Sequence, residues 1–199
     1  MVSRPGHPDQ DRRDHRPSWT AAFLIPFWAV IGIQMSRQER GRPIWSVLAV
    51  VGGALMTVVI VLPPVFWGVA AFTPDRDPEV TQLMHELGCL TFITTDQFYI
   101  FAWVALAVIC FRPQAAAHSP FSRWYGYFTA WSAMTFETGA LAYNAKSGLF
   151  TWNGLLPFWI PFPIFGLWMA VTSWLLLTRL KSQRLDAEAR EQALHHVGR

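Results

Sequence analysis

Asp96 and Glu137 are carboxylates set in stretches otherwise apolar enough to lie inside a membrane: "LTFITTDQFYIFAWVALAVICF" around the first and "SAMTFETGALAYN" around the second. An intramembrane acid is costly and faces a bundle interior, a water-filled cavity or a partner group. Two such acids at one level would share a proton or hold a cation. Gln97 and Asn144 stand beside them in the chain, and Thr94, Thr95 and Tyr99 add further oxygens. The candidate site is therefore Asp96, Glu137, Gln97 and Asn144, with proton relay or cation binding as its chemistry. The plainer alternative makes Glu137 a protonated hydrogen-bonding group between helices, worth about 1 kcal/mol.

Elements that could place these residues follow from composition. The chain has 199 residues, of which 52% are hydrophobic and only 15% charged. Soluble domains carry about 25% charge. The mean hydropathy is +0.24, and the apolar residues come in blocks of the length that crosses a hydrocarbon core of about 30 Å. The expected fold is an all-α polytopic transmembrane helix bundle of five spans, over 19–35, 45–72, 88–111, 123–145 and 155–178. Residues 1–18, rich in Arg, Asp and Pro, read as a disordered tail and not as a signal peptide. The bundle extends over 19–180, and 181–199 reads as a polar cytoplasmic helix or tail.

Arg37, Arg40 and Arg42 in one loop, Arg112 and Arg123 in another, and Arg179, Lys181 and Arg184 after the last span belong on the cytoplasmic side. The loops over 73–87 and 146–154 then lie outside. Trp45, Trp124 and Trp174 fall at the inner interface, and Trp67, Trp152 and Trp159 at the outer one. This predicts a multi-pass protein of the inner (plasma) membrane with a cytoplasmic C-terminus. Five spans would place the arginine-bearing N-terminal tail outside, against the same charge rule. In this frame Asp96 and Glu137 both lie about 12 Å below the outer boundary, at 1.5 Å per residue, on antiparallel neighbours. Gly126, Ala130, Ala133, Glu137, Ala140 and Asn144 form one helical stripe. Its small residues suit close helix approach and turn Glu137 inward.

Other residues carry less chemistry. Asp75 to Val80 reads as an acidic turn that starts a helix. Pro161 and Pro163 should kink span five, and Trp159 and Trp168 on it are the candidate wall for a hydrophobic ligand. Cys89 and Cys110 would be about 31 Å apart on one helix, too far to bridge. His85, His118 and the pair His195-His196 lie in or near loops or in the tail, so neither an axial haem pair nor a metal cluster is expected. With no nucleophile–base pair in the spans, an enzyme is not expected, and no catalytic residue or cofactor is assigned. No aromatic-and-basic motif suggests nucleic acid.

The stretches "AFLIPFWAVIGIQMSR", "LPPVFWGVAAFTPDRDPEVTQLMHELG", "PFSRWYGYFTAW" and "GLFTWNGLLPFWIP" resemble a family of small polytopic actinobacterial and proteobacterial integral membrane proteins without assigned function. The resemblance extends over about 21–180 and is most specific around 74–88 and 148–161. It implies architecture only, with one further span ahead of 19–35. Residues 1–18 depart from it, which points to a shifted or truncated start and would resolve the conflict over the N-terminal tail. The tryptophan content also invites comparison with the five-span porphyrin- and sterol-binding translocator proteins, but their motifs do not occur at matching places.

The leading functional expectation is a non-catalytic structural or accessory membrane protein whose partners are the bilayer and a membrane-protein partner or a second copy. A proton- or cation-coupled transporter using Asp96 and Glu137, and a lipid- or sterol-binding protein, are the competing classes.

Overall fold

A computed structural model describes residues 23–73, 77–113 and 119–197, with side chains through residue 192. The 1–18 tail, Asp75 of the acidic turn, His118 and the side chains of His195 and His196 lie outside the described residues. Among the described residues the chain is all-helical, without strands. Six α-helices follow one another: α1 (Leu24–Ser36), α2 (Ile44–Phe72), α3 (Pro78–Thr94), α4 (Ile100–Phe111), α5 (Arg123–Phe136) and α6 (Pro161–Val197). Between them lie two 3₁₀ segments, Asp96–Phe98 and Glu137–Asn144, and a π turn, Leu155–Trp159.

Two helices are long and apolar enough to cross a membrane, Ile44–Phe72 and Leu155–Gln192, the second counted from the π turn. The apolar helices α1 and α4 are shorter. The block expected as one span over 88–111 is interrupted. Its first half belongs to α3, which starts at Pro78, where the Asp77 side chain accepts from the Glu79 N–H at 2.9 Å. α3 then ends at Thr94, because the Thr94 and Thr95 hydroxyls donate to the carbonyls of Leu90 (2.7 Å) and Thr91 (2.6 Å) and compete with the backbone ladder. The expected span over 123–145 is α-helical only as far as Phe136. The prolines of the last block fall where the helical run from Leu155 changes from a π turn to α geometry. Pro161 opens α6, and the π turn precedes it, since Pro161 and Pro163 have no N–H to give to the carbonyls a turn earlier. α2 runs through Pro63-Pro64 without ending.

The core is a stack of aromatic rings. Trp168 lies over Trp103 at 4.3 Å and over Trp28 at 5.7 Å, with Phe165 at 6.3 Å. All three tryptophans are fully buried. Glycines admit the neighbouring elements. A Cβ on Gly53 would collide with the Trp28 ring, and one on Gly126 would stand 2.6 Å from Cys110 Cβ. The small-residue stripe of α5 thus does its packing at Gly126 and Ala133, both buried.

At one end of the bundle the Arg37 guanidinium donates to Gln183 Oε1 (2.9 Å), and Arg112 lies 5.6 Å above the Trp45 ring. This gathers the loop after α1, the residues after α4 and the polar part of α6. Here the Glu39 carboxylate accepts from the N–H groups of Trp45 and Ser46, both at 2.9 Å, and satisfies the open N-terminus of α2. Glu39→Ala is expected to lower stability by about 0.5–2 kcal/mol, the usual cost of losing a cap, measured by equilibrium unfolding in detergent. At the opposite end His85 sits 6.5 Å from Trp67 and 5.8 Å from Trp152. The two sets of loops therefore occupy opposite ends of the bundle.

Candidate functional site

Three irregular segments meet at one level of the bundle. The 3₁₀ turn Asp96–Phe98 contacts α2, α4 and the 3₁₀ segment Glu137–Asn144, which in turn packs on α3 and on the π turn. Local chemistry explains each departure from α geometry. After the threonine back-bonds end α3, the N–H groups of Phe98 and Tyr99 turn to the carbonyls of Thr95 (3.2 Å) and Asp96 (3.0 Å). At the end of α5 the hydroxyls of Thr135 and Thr138 donate three residues back, to Ser132 (2.7 Å) and Thr135 (2.8 Å), as the chain tightens. Gly139 lies so close to the Ile93 carbonyl that no Cβ fits between them. Cross-links fasten the level: Thr138 Oγ1 to the Leu156 carbonyl at 2.8 Å, and the Thr94 and Tyr143 hydroxyls to each other at 2.6 Å.

Asp96 is the first residue of one 3₁₀ turn and Glu137 the first of the other. The Asp96 side chain is buried, at 1% exposure, and neither carboxylate oxygen has a hydrogen-bond partner in the protein. The nearest donors to it are the backbone N–H groups of Asp96 and Gln97, in its own turn. Glu137 and the Tyr99 hydroxyl are within electrostatic reach of it. A buried acid with both oxygens unpaired is costly in any fold, because each unmet acceptor carries its full desolvation penalty.

The other residues of the expected site sit differently. Glu137 is exposed and not turned into the bundle. It lines a groove of about 310 Å³ between α4 and α5, together with Trp103, Val104, Phe111, Ala130 and Ala133. Gln97 and Asn144 are both exposed and stand outside the buried level. Trp159 and Trp168 do not share a wall. Trp159 is 63% exposed, whereas Trp168 is in the centre of the core with its indole N–H on Thr129 Oγ1 at 3.2 Å.

A feature that sequence reasoning missed adjoins the same level. An apolar cavity of about 150 Å³ is walled by six aromatic rings, those of Phe92, Tyr99, Phe136, Phe158, Phe162 and Phe165. Phe158, Phe162 and Phe165 recur at helical spacing, the pattern that would have pointed to them. Among the described residues no group of three His, Cys, Asp or Glu could hold a metal ion, and Cys89 and Cys110 are free and buried. Comparison with protein-family models, curated proteins and solved structures finds no match.

Proposed function

We propose that the chain is a polytopic inner-membrane protein that takes up a proton or a small cation on Asp96, with Glu137 as the second acid of the site, and so belongs to the transporter or channel class. The observation that carries this reading is the Asp96 carboxylate, buried with both oxygens unpartnered where the helices break. Broken helices at membrane depth line ion and substrate sites, and irregular backbone is tolerated there only inside protein or beside a cavity. A carboxylate kept only as packing glue would be expected to hold a hydrogen bond across the interface. Two apolar helices of membrane length support the bilayer setting, as do large apolar side chains exposed around the bundle, such as Ile25, Val58 and Leu177. On this reading the five blocks cross as five passes, two of them interrupted. The end carrying Arg37, Arg112 and Gln183 faces the cytoplasm, following the bias of Lys and Arg, and the C-terminus lies there too.

The deciding experiment measures thermal stability of the detergent-purified chain across pH and a panel of monovalent and divalent cations, for wild type, Asp96→Asn and Glu137→Gln. A pH- or cation-specific shift in wild type that vanishes in Asp96→Asn is expected, since a ligand that binds only the folded state raises its stability. Flux into proteoliposomes would then separate transport from static binding. Equal profiles for wild type and Asp96→Asn would sink the reading and return the protein to the accessory class, to be sought as part of a larger membrane complex.

A further inference from the structure

We infer that the aromatic cavity beside Asp96 is a binding site for a small organic cation, an ammonium or quaternary ammonium group carrying about one ring of apolar bulk. This rests on the proposed cation-binding role of Asp96 and names the ligand class for that site.

Size comes first. An apolar space of about 150 Å³ accommodates a benzene-sized group. The cavity here has that volume, and six of its twelve lining residues are aromatic. The remaining six are Met, Val, Ile and Pro, so no lining residue is charged.

Chemistry decides between a neutral and a cationic occupant. Aromatic rings present their negative faces to a cation, and cages of such rings are the usual receptors for quaternary ammonium groups. Tyr99 joins the cavity to the acid site, since it lines the one and stands within electrostatic reach of both Asp96 and Glu137. Its N–H also bonds to the Asp96 carbonyl at 3.0 Å. When ionised, the Asp96 carboxylate, approached only by N–H groups of its own turn, attracts a cation in the adjoining cavity, more strongly in low dielectric than in water. No Lys, Arg or His occurs within the five apolar blocks, apart from Arg123 at the start of the fourth, to repel that cation or to replace it. A neutral ring would fill the space and leave the carboxylate unanswered.

The test uses the full chain in detergent, with benzyltrimethylammonium as the cationic probe and toluene as the neutral one, read by thermal stability and by equilibrium dialysis. Benzyltrimethylammonium is expected to give a saturable rise in Tm and measurable retention in dialysis, and toluene at equal concentration much less of both. Asp96→Asn should abolish the difference between the probes. Val59→Trp, which fills the cavity from α2, should abolish benzyltrimethylammonium binding while leaving the response to pH and inorganic cations intact. Ile60→Phe serves the same purpose if the tryptophan variant does not fold. If both probes bind equally and Asp96→Asn changes neither, the cavity selects apolar bulk and the inference is overturned. If benzyltrimethylammonium has no effect while Asp96-dependent responses to pH or inorganic cations persist, the inference falls and the proposed function stands. If Asp96→Asn alters no response of any kind, both fall together.

Discussion

Asp96→Leu is expected to stabilise the protein by about 1–3 kcal/mol, the desolvation penalty of a buried polar group left without partners, while abolishing any response to pH or cations. The sign is the informative part. Replacing a group that bonds its neighbours removes interactions and destabilises. Asp96 has no hydrogen bond to another element to lose, only the N–H groups of its own turn nearby. Leucine keeps the same branching without polar atoms, its bulkier methyl groups being accommodated toward the adjoining cavity. Stability gained together with function lost is the mark of a residue retained for its chemistry. The measurement is equilibrium unfolding followed by far-ultraviolet circular dichroism, at one fixed pH and salt. A loss of more than about 1 kcal/mol would instead place Asp96 among the groups that hold the bundle together, against the usual destabilisation of core polar networks.

Trp168→Ala carries the largest expected loss, about 3–5 kcal/mol for truncating a large buried aromatic. Its ring contacts those of Trp28, Trp103, Phe27 and Phe165, and so ties α1, α4 and α6 into one core. A bilayer does not weaken this argument, since the loss comes from vacated packing and not from transfer to water. Removing the ring also takes away the indole N–H from which the Thr129 hydroxyl accepts. Trp159→Ala is the matched control. That ring is 63% exposed, and its removal should change stability by no more than about 0.5 kcal/mol. Comparable losses for both variants would mean that the Trp168 stack is not the centre of the core.

Much of the helical layout can be read from the sequence, because apolar blocks and the arginines between them are strong patterns. The interruptions are harder to read. Thr91, Thr94 and Thr95 are apolar enough to pass as span residues, and their back-bonding depends on whether neighbours leave the carbonyls free. Glu137 was expected inside because the stripe Gly126, Ala130, Ala133 was extended beyond Phe136 at α-helical spacing. The chain tightens at that residue, so the extrapolated face no longer applies; the part of the stripe before it packs as read. Trp159 and Trp168 illustrate a different failure. Nine residues apart on an ideal helix, they point about 180° from each other, so their spacing alone places them on opposite faces. The aromatic cavity near Asp96 assembles rings from four separate parts of the chain, which no single periodicity reveals.

The unequal lengths of the helices have a consequence for biogenesis. In a bilayer, a segment that satisfies its own backbone can be inserted alone, whereas an interrupted one exposes N–H and C=O groups that hydrocarbon cannot satisfy. α2 and the run from the π turn into α6 meet that requirement. The segment α3–α4 with its turn, and α5 with its 3₁₀ extension, are interrupted, and side-chain bonds tie them to each other and to the π turn, Thr94 with Tyr143 and Thr138 on the Leu156 carbonyl. Those ties join different segments of the chain, so each interrupted segment gains them only once its neighbour is in place. If the chain spans a bilayer as proposed, α2 and the run into α6 are expected to insert first, with the level containing Asp96 forming as the interrupted segments dock against them.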